Sequence, residues 1–418
     1  MQTEYDVIVV GGGAAGLMAA GTAAFSGHRT LLLEKMEKPA RKIRITGKGR
    51  CNLTNIKPEA EFLDKIQVNK EFFIPAYRAF DNKKLVRFFE RRGLKLETER
   101  GGRVFPASGR AWDVADTLVN WCEENGVETI CHAAVEEVLV LGDRVRGVIW
   151  RGKKGFRRRV EAPVVIITTG GASYPATGST GDGYRFAHIT GHDIIPIRPS
   201  LVPLETELFD KEVLNGLLLK NVRAELVVDN NTVASEFGEV SFSQRGIEGA
   251  AILRFSRMAV DALIDGHTVC VHLDLKPALD PETIRERINR ELAQLSPSDT
   301  TGDLLRKLLP ASMAAHMARL IGSHPKRALG SFNDNQMSEL IKQLKCFKIP
   351  VSDYRPFEEA IVTAGGVSTR DINPETMESR LINGLYFAGE VLDLDANTGG
   401  YNLQIAFSTG RLAGMLKH

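Results

Sequence analysis

Val7-Ile8-Val9-Val10-Gly11-Gly12-Gly13-Ala14-Ala15-Gly16 opens a run that closes at Thr30-Leu31-Leu32-Leu33-Glu34, and the order of residue types along it decides the fold. The first apolar run reads as a strand covered on both faces, the alanine-rich stretch to Ser26 as a helix, and Thr30 to Leu33 as a second buried strand. That alternation belongs to a parallel sheet. Between strand and helix the glycines fit GxGxxG, the setting in which this pattern signals a dinucleotide. Gly11 permits the tight turn, Gly13 lets a pyrophosphate approach the backbone, and Gly16 lets the helix lie on the strand. The amides of Ala14 and Ala15, at the helix start, would face the phosphates. Glu34 ends the second strand, where a carboxylate accepts from an adenosine ribose and repels the extra phosphate of NADP.

Working outward, helical patterns near Lys83–Arg92 and Ala111–Asn125 lead into short strands at Val127–Ile130, Val135–Leu141, Val145–Trp150 and Arg157–Val160, read together as an antiparallel meander. Val164–Ile167 closes it. From Pro196 the stretches Ala224–Val228, Glu239–Phe242 and Val269–Leu273 show no strand–helix alternation, and Pro281–Cys346 turns helical, with Ile284, Ile288 and Leu292 four apart. The expected organisation is an α/β chain in three parts. A discontinuous Rossmann-like domain takes residues 1–195 and 360–418, an inserted mainly-β, barrel-like domain 196–279 and 348–359, and a small helical insertion 280–347.

The 418 residues are 43% apolar and 25% charged, which excludes a disordered, fibrous or disulfide-framework protein. Fifty-four Lys and Arg against 52 Asp and Glu leave a net charge of +2, too little for a whole-molecule attraction to nucleic acid. With no aromatic–basic stripe either, a nucleic-acid partner is not expected. Five scattered cysteines without a CxxC pair, no membrane-length apolar run and no signal-peptide order at the N-terminus point to the cytoplasm.

Gly384-Leu385-Tyr386-Phe387-Ala388-Gly389-Glu390 matches the second signature of two-dinucleotide-fold flavoproteins, whose acid meets the ribityl chain; here the acid is Glu390. Gly399-Gly400-Tyr401-Asn402 follows, before a helix from Leu403 whose positive end would lie against the flavin pyrimidine. Thr168-Thr169-Gly170-Gly171 resembles the third, a strand ending in Thr-Gly. Longer strings, Gly47-Lys48-Gly49-Arg50-Cys51-Asn52-Leu53-Thr54-Asn55, Ser173 to Tyr184, Thr363 to Val367, Thr376 to Ser379 and Gly399 to Gln404, resemble a bacterial flavoprotein family that includes aminoacetone oxidases and bile-acid dehydro-reductases.

The resemblance implies FAD; Lys35, Arg41, Thr46 and Val135 complete the candidate cofactor set, Arg41 as one of the basic residues, with Lys42 and Arg44, that precede the clamp and could meet phosphate or substrate charge. Ala40 and Lys48 depart from the family pattern, standing where glycines are common, and Ala396 replaces another glycine. The loop from Gly47 to Asn55 is expected to clamp the cofactor, with donors from Arg50, Asn52, Thr54 and Asn55 on one side if it is extended. Cys51, within it, reads as a packed residue rather than a redox thiol, and Arg157-Arg158-Arg159 as a solvated strand end. His188 and His192 lack a third ligand, so no metal is expected. Tyr174, Tyr401 and Arg245 are the candidates on the substrate side.

The expected function is an FAD-dependent oxidoreductase passing a hydride from NAD(P)H to an activated C=C bond of a small molecule. The alternatives are an oxidase of a small, aminoacetone-like amine that uses oxygen and, less favoured, an RNA-modifying flavoprotein.

Overall fold

Five parallel strands form the central sheet of a computed structural model that describes residues 4–207 and 211–416. Their order is Leu385–Phe387, Val164–Ile167, Val7–Val10, Thr30–Glu34, Glu128–Cys131. Val7 lies opposite Thr30 on one side and Val164 on the other, so the fingerprint strand sits in the middle. Val7, Ile8 and Val9 are wholly buried, as unbroken β-branched runs covered on both faces should be. The strand at Glu128–Cys131 corrects the sequence reading: it pairs with Thr30–Glu34 in this sheet, not with the meander. The meander is the three antiparallel strands Ala134–Leu141, Arg144–Arg151 and Arg157–Glu161.

The fingerprint helix Ala14–Phe25 is buried all round from Ala15 to Ala23, which explains why it has almost no polar residues. Its neighbour is the C-terminal helix Tyr401–Gly414. A Cβ at Gly410 would fall 2.3 Å from the Ala15 carbonyl oxygen, and one at Gly414 2.4 Å from that of Ala19. The two backbones approach this closely because neither position carries a side chain.

The chain divides into two units, one running to Pro199 and resuming at Phe357, the other Ser200–Pro356. In the second, seven strands joined by antiparallel pairings follow the order Phe347–Val351, Val269–Asp274, Leu218–Val228, Asn231–Phe242, Gly246–Glu248, Leu204–Glu205, Asp353–Tyr354. Ile252 and Phe255 of the helix Ala250–Ile264, together with Ile284, Ile288, Leu304 and Leu340 of the following helices, share one core with this sheet. Each such fully buried aliphatic or aromatic side chain contributes about 2 kcal/mol.

Candidate functional site

The turn after the first strand is shaped as the glycine pattern requires. Gly11 has φ +101°, and a Cβ there would fall 2.7 Å from the Thr168 carbonyl oxygen. At Gly16 a Cβ would lie 1.8 Å from the Gly11 carbonyl oxygen, whereas at Gly13 it would meet no described atom within 4 Å. Gly11 and Gly16 therefore serve chain packing, and Gly13 leaves open space at the start of the helix. The Thr168 hydroxyl donates to the Val10 and Gly11 carbonyls, both at 2.9 Å, and ties the third signature under the turn.

Glu34 is buried and accepts from the backbone amides of Gly12 and Met36, both at 2.7 Å. Burial raises its carboxyl above the ordinary range, opposed by those two amides and by Lys35 and Arg41. Nearby, the Lys35 ammonium is 2.6 Å from Asp182 and 2.5 Å from the Thr180 hydroxyl, so it fastens the glycine-rich loop that follows Thr169. Arg41 pairs with Glu37 at 2.6 Å.

The acid of the second signature is held by partners that the sequence reading did not assign to it. Glu390 accepts from the Lys42 ammonium at 2.8 Å, the Ser173 hydroxyl at 2.6 Å and the Thr363 amide at 2.9 Å. A Cβ at Gly171 would reach 2.5 Å from the Thr363 hydroxyl oxygen and 3.0 Å from Glu390, so Gly171 makes room for this cluster. Lys42 and Glu390 are 348 positions apart, and opposite charge was the one sequence signal linking them. Gly389 has φ +83° and donates its amide to the Thr409 hydroxyl of the C-terminal helix. Gly170 also lies at positive φ, 72°.

The clamp loop does not take the extended form under which its donors would line one side. Gly47, Lys48, Gly49 and Cys51 all have positive φ, and Thr46 accepts the Cys51 amide, so the chain coils instead of alternating. Most of the expected donors bind within the protein. The Arg50 guanidinium pairs with Glu99 and lies over the Phe105 ring, Thr54 donates to Gln404 at 2.7 Å, and Asn55 donates to the carbonyls of Gly101 and Gly399. Asn402 is spent on the backbone of Ala396, and Gly400 lets the helix start beside Thr54, where a Cβ would be 2.5 Å from the Thr54 carbonyl oxygen. Leu403 is partly buried against the core.

Within these segments, Asn52 Oδ1 and Thr169 Oγ1 are buried without a hydrogen-bond partner. Buried polar atoms are nearly always satisfied. Both belong to stretches on which the flavin resemblance rests, as does the open space at Gly13, and this is what a site shaped for a polar dinucleotide shows.

The HI0933-like protein Rossmann domain family model matches residues 5–416. The chain belongs to this family. Among its relatives, the 3-dehydro-bile acid delta(4,6)-reductase of Clostridium scindens is 30% identical over 408 residues, 97% of each chain. The ribosomal RNA dihydrouridine synthase of Escherichia coli is also 30% identical, over 97% of this chain and 96% of its own. The solved 3-ketosteroid delta1-dehydrogenase of Sterolibacterium denitrificans shares the fold, with a TM-score of 0.54 at 15% identity and 98% of each chain covered. This HI0933-like protein is an FAD-dependent oxidoreductase.

Each substrate-side candidate has contacts of its own within its unit. Tyr401 is 4% exposed and packs edge-on against Phe62 at 4.8 Å, with burial raising its phenol. It is a packing residue at the helix start. Tyr174 takes a left-handed φ of +52° and donates its amide to the Phe357 carbonyl. Arg245 belongs to the second unit, where it pairs with Glu205 at 2.6 Å. Val135 packs in the core of the first unit and pairs with Trp150. Cys51 is fully buried, and its thiol is pushed up to about 12 by burial alone. His192 bonds through Nε2 to the Ser379 hydroxyl, and no cluster of His, Cys, Asp or Glu suited to a metal occurs among the described residues.

Proposed function

We propose that this flavoenzyme reduces a carbon–carbon double bond polarised by a carbonyl group, with NAD(P)H as the source of the hydride, in the cytoplasm, where its five free thiols stay reduced. One observation carries the reading. Two relatives that match nearly the whole chain at 30% identity are named for unrelated substrates, a dehydro-bile acid and ribosomal uridine, yet each name describes saturation of a C=C bond in a conjugated ring system. The shared element is the reaction, so the reaction is what carries over.

Bound FAD supplies the two-electron chemistry. The chain's part is to hold and shield. Gly13 and the helix start would receive the pyrophosphate, and Glu34 the adenosine ribose. Lys42, Ser173 and Thr363 fix Glu390, whose carboxylate would accept from the ribityl hydroxyls. The C-terminal helix starts at Tyr401 with no side-chain cap, so its amide end is available to stabilise negative charge.

The test is anaerobic. NADH and NADPH are added separately to the yellow protein, and the flavin band is followed. Bleaching by either, then recovery on adding a conjugated steroid enone or a uridine-containing RNA, supports the reading. A flavin indifferent to both nucleotides but bleached by a small amine makes the protein an oxidase instead.

A further inference from the structure

The chain's net charge of +2 conceals a local concentration. Residues 144–159 hold eight Lys and Arg and no acid, over two strands of the meander and the turn between them. Arg151 and Arg157 share Glu136 of the strand Ala134–Leu141, at 2.5 and 2.8 Å, and Arg159 pairs with Glu161 of its own strand at 2.8 Å. The two bridges to Glu136 reach across the sheet where two arginines stand directly opposite each other. Lys153, Lys154 and Arg158, at or beside the turn, are exposed and form no ion pair among the described residues.

An aromatic ring sits among them. Phe156 is 43% exposed, edge-on to Trp150 at 5.7 Å, with the Arg158 guanidinium 5.1 Å from its ring centre. A Cβ at Gly152 would lie 2.2 Å from the Phe156 ring, so the glycine seats the ring and keeps it ordered while one face stays accessible. Unpaired cations around a fixed, half-exposed ring with a guanidinium beside it form the combination that binds unpaired bases and their phosphates. An anionic membrane would be held by the charges but would gain little from one exposed ring, since Trp150 is buried.

We infer that the turn Arg151–Arg159 docks single-stranded RNA, which would make the double bond of the proposed reaction that of a uridine base; this choice of substrate rests on the reading above, whereas the docking itself does not.

The test measures fluorescence anisotropy of a labelled oligouridylate with the FAD-loaded protein over a range of salt. Lys153→Ser/Lys154→Ser/Arg158→Ser leaves the three ion-paired arginines in place, and unchanged flavin content checks the fold. The slope of log affinity against log salt should fall by about 2, because each single-strand phosphate that a cation neutralises adds about 0.7 to it. Phe156→Ala should weaken binding about fivefold or more at constant slope. Equal slopes for the triple variant and the wild type overturn the inference, as does binding to phosphatidylserine vesicles in place of the oligonucleotide. RNA binding through this turn by a protein whose flavin neither nucleotide bleaches leaves the docking standing and refutes the reaction. Bleaching without RNA binding does the reverse.

Discussion

Ala40 and Lys48 occupy left-handed backbone, at φ +62° and +57°, a region that favours glycine, and the two should answer the same substitution differently. A side chain in this region costs about 1–2 kcal/mol. Replacement by glycine relieves that, but gives back about 0.4–1 kcal/mol through the freer unfolded chain. Lys48 is exposed and makes no hydrogen bond or ion pair among the described residues, so nothing else is lost. Lys48→Gly should therefore stabilise the protein by about 1 kcal/mol, or about 3 °C for a unit of this size. Ala40 is 2% exposed, and removing its methyl forfeits about 0.8 kcal/mol more, which brings Ala40→Gly close to zero. Lys48→Ala keeps the strain and should stay within about 0.5 kcal/mol of wild type. Thermal unfolding at one saturating FAD concentration measures all three, because bound cofactor adds its own stabilisation by mass action. A gain of equal size at both glycine variants, or none at Lys48→Gly, would show that backbone strain does not govern this loop.

Further substitutions probe the site itself. Gly13→Ala should leave the cofactor-free fold intact, since its Cβ meets nothing, yet weaken FAD at least about tenfold by titration; normal FAD binding would refute the cradle. Gly16→Ala should fail to fold, as its Cβ cannot fit 1.8 Å from the Gly11 carbonyl oxygen, and soluble yellow protein would count against this geometry of the turn. Glu34, raised in the folded state, binds its proton more tightly there than when unfolded. Its contribution thus favours the fold at low pH and is lost as pH rises through the raised value, so stability should shift toward Glu34→Gln as pH rises above the ordinary carboxylate range. A difference independent of pH would contradict the burial argument. Under iodoacetamide, mass spectrometry should find Cys51 and Cys122, both buried with thiols pushed up to about 12, alkylated after Cys131, Cys270 and Cys346.

The central strands, the fingerprint helix and the nature of the cofactor were legible because each rests on contiguous residues with one physical reason to be there: apolar runs for burial and glycines for close approach. Ala40 and Lys48, which the resemblance singled out, both lie at left-handed φ. The partnership of Glu128–Cys131 was not, since a short strand carries no mark of which edge it joins.

The clamp shows the limit more sharply. Arg50, Thr54 and Asn55 can all donate, but donors in a glycine-rich stretch are also what a loop needs to hold its own shape, and here they are spent on Glu99, Gln404, Gly101 and Gly399. Asn52 Oδ1 and Thr169 Oγ1, buried and unsatisfied, are better evidence of a ligand than any satisfied donor. That distinction depends on partners far away in the chain, as with Lys42 and Glu390, and so becomes visible only when the chain is folded. Chemical type selects the residues able to bind; the hydrogen bonds already made decide which of them are free to do so.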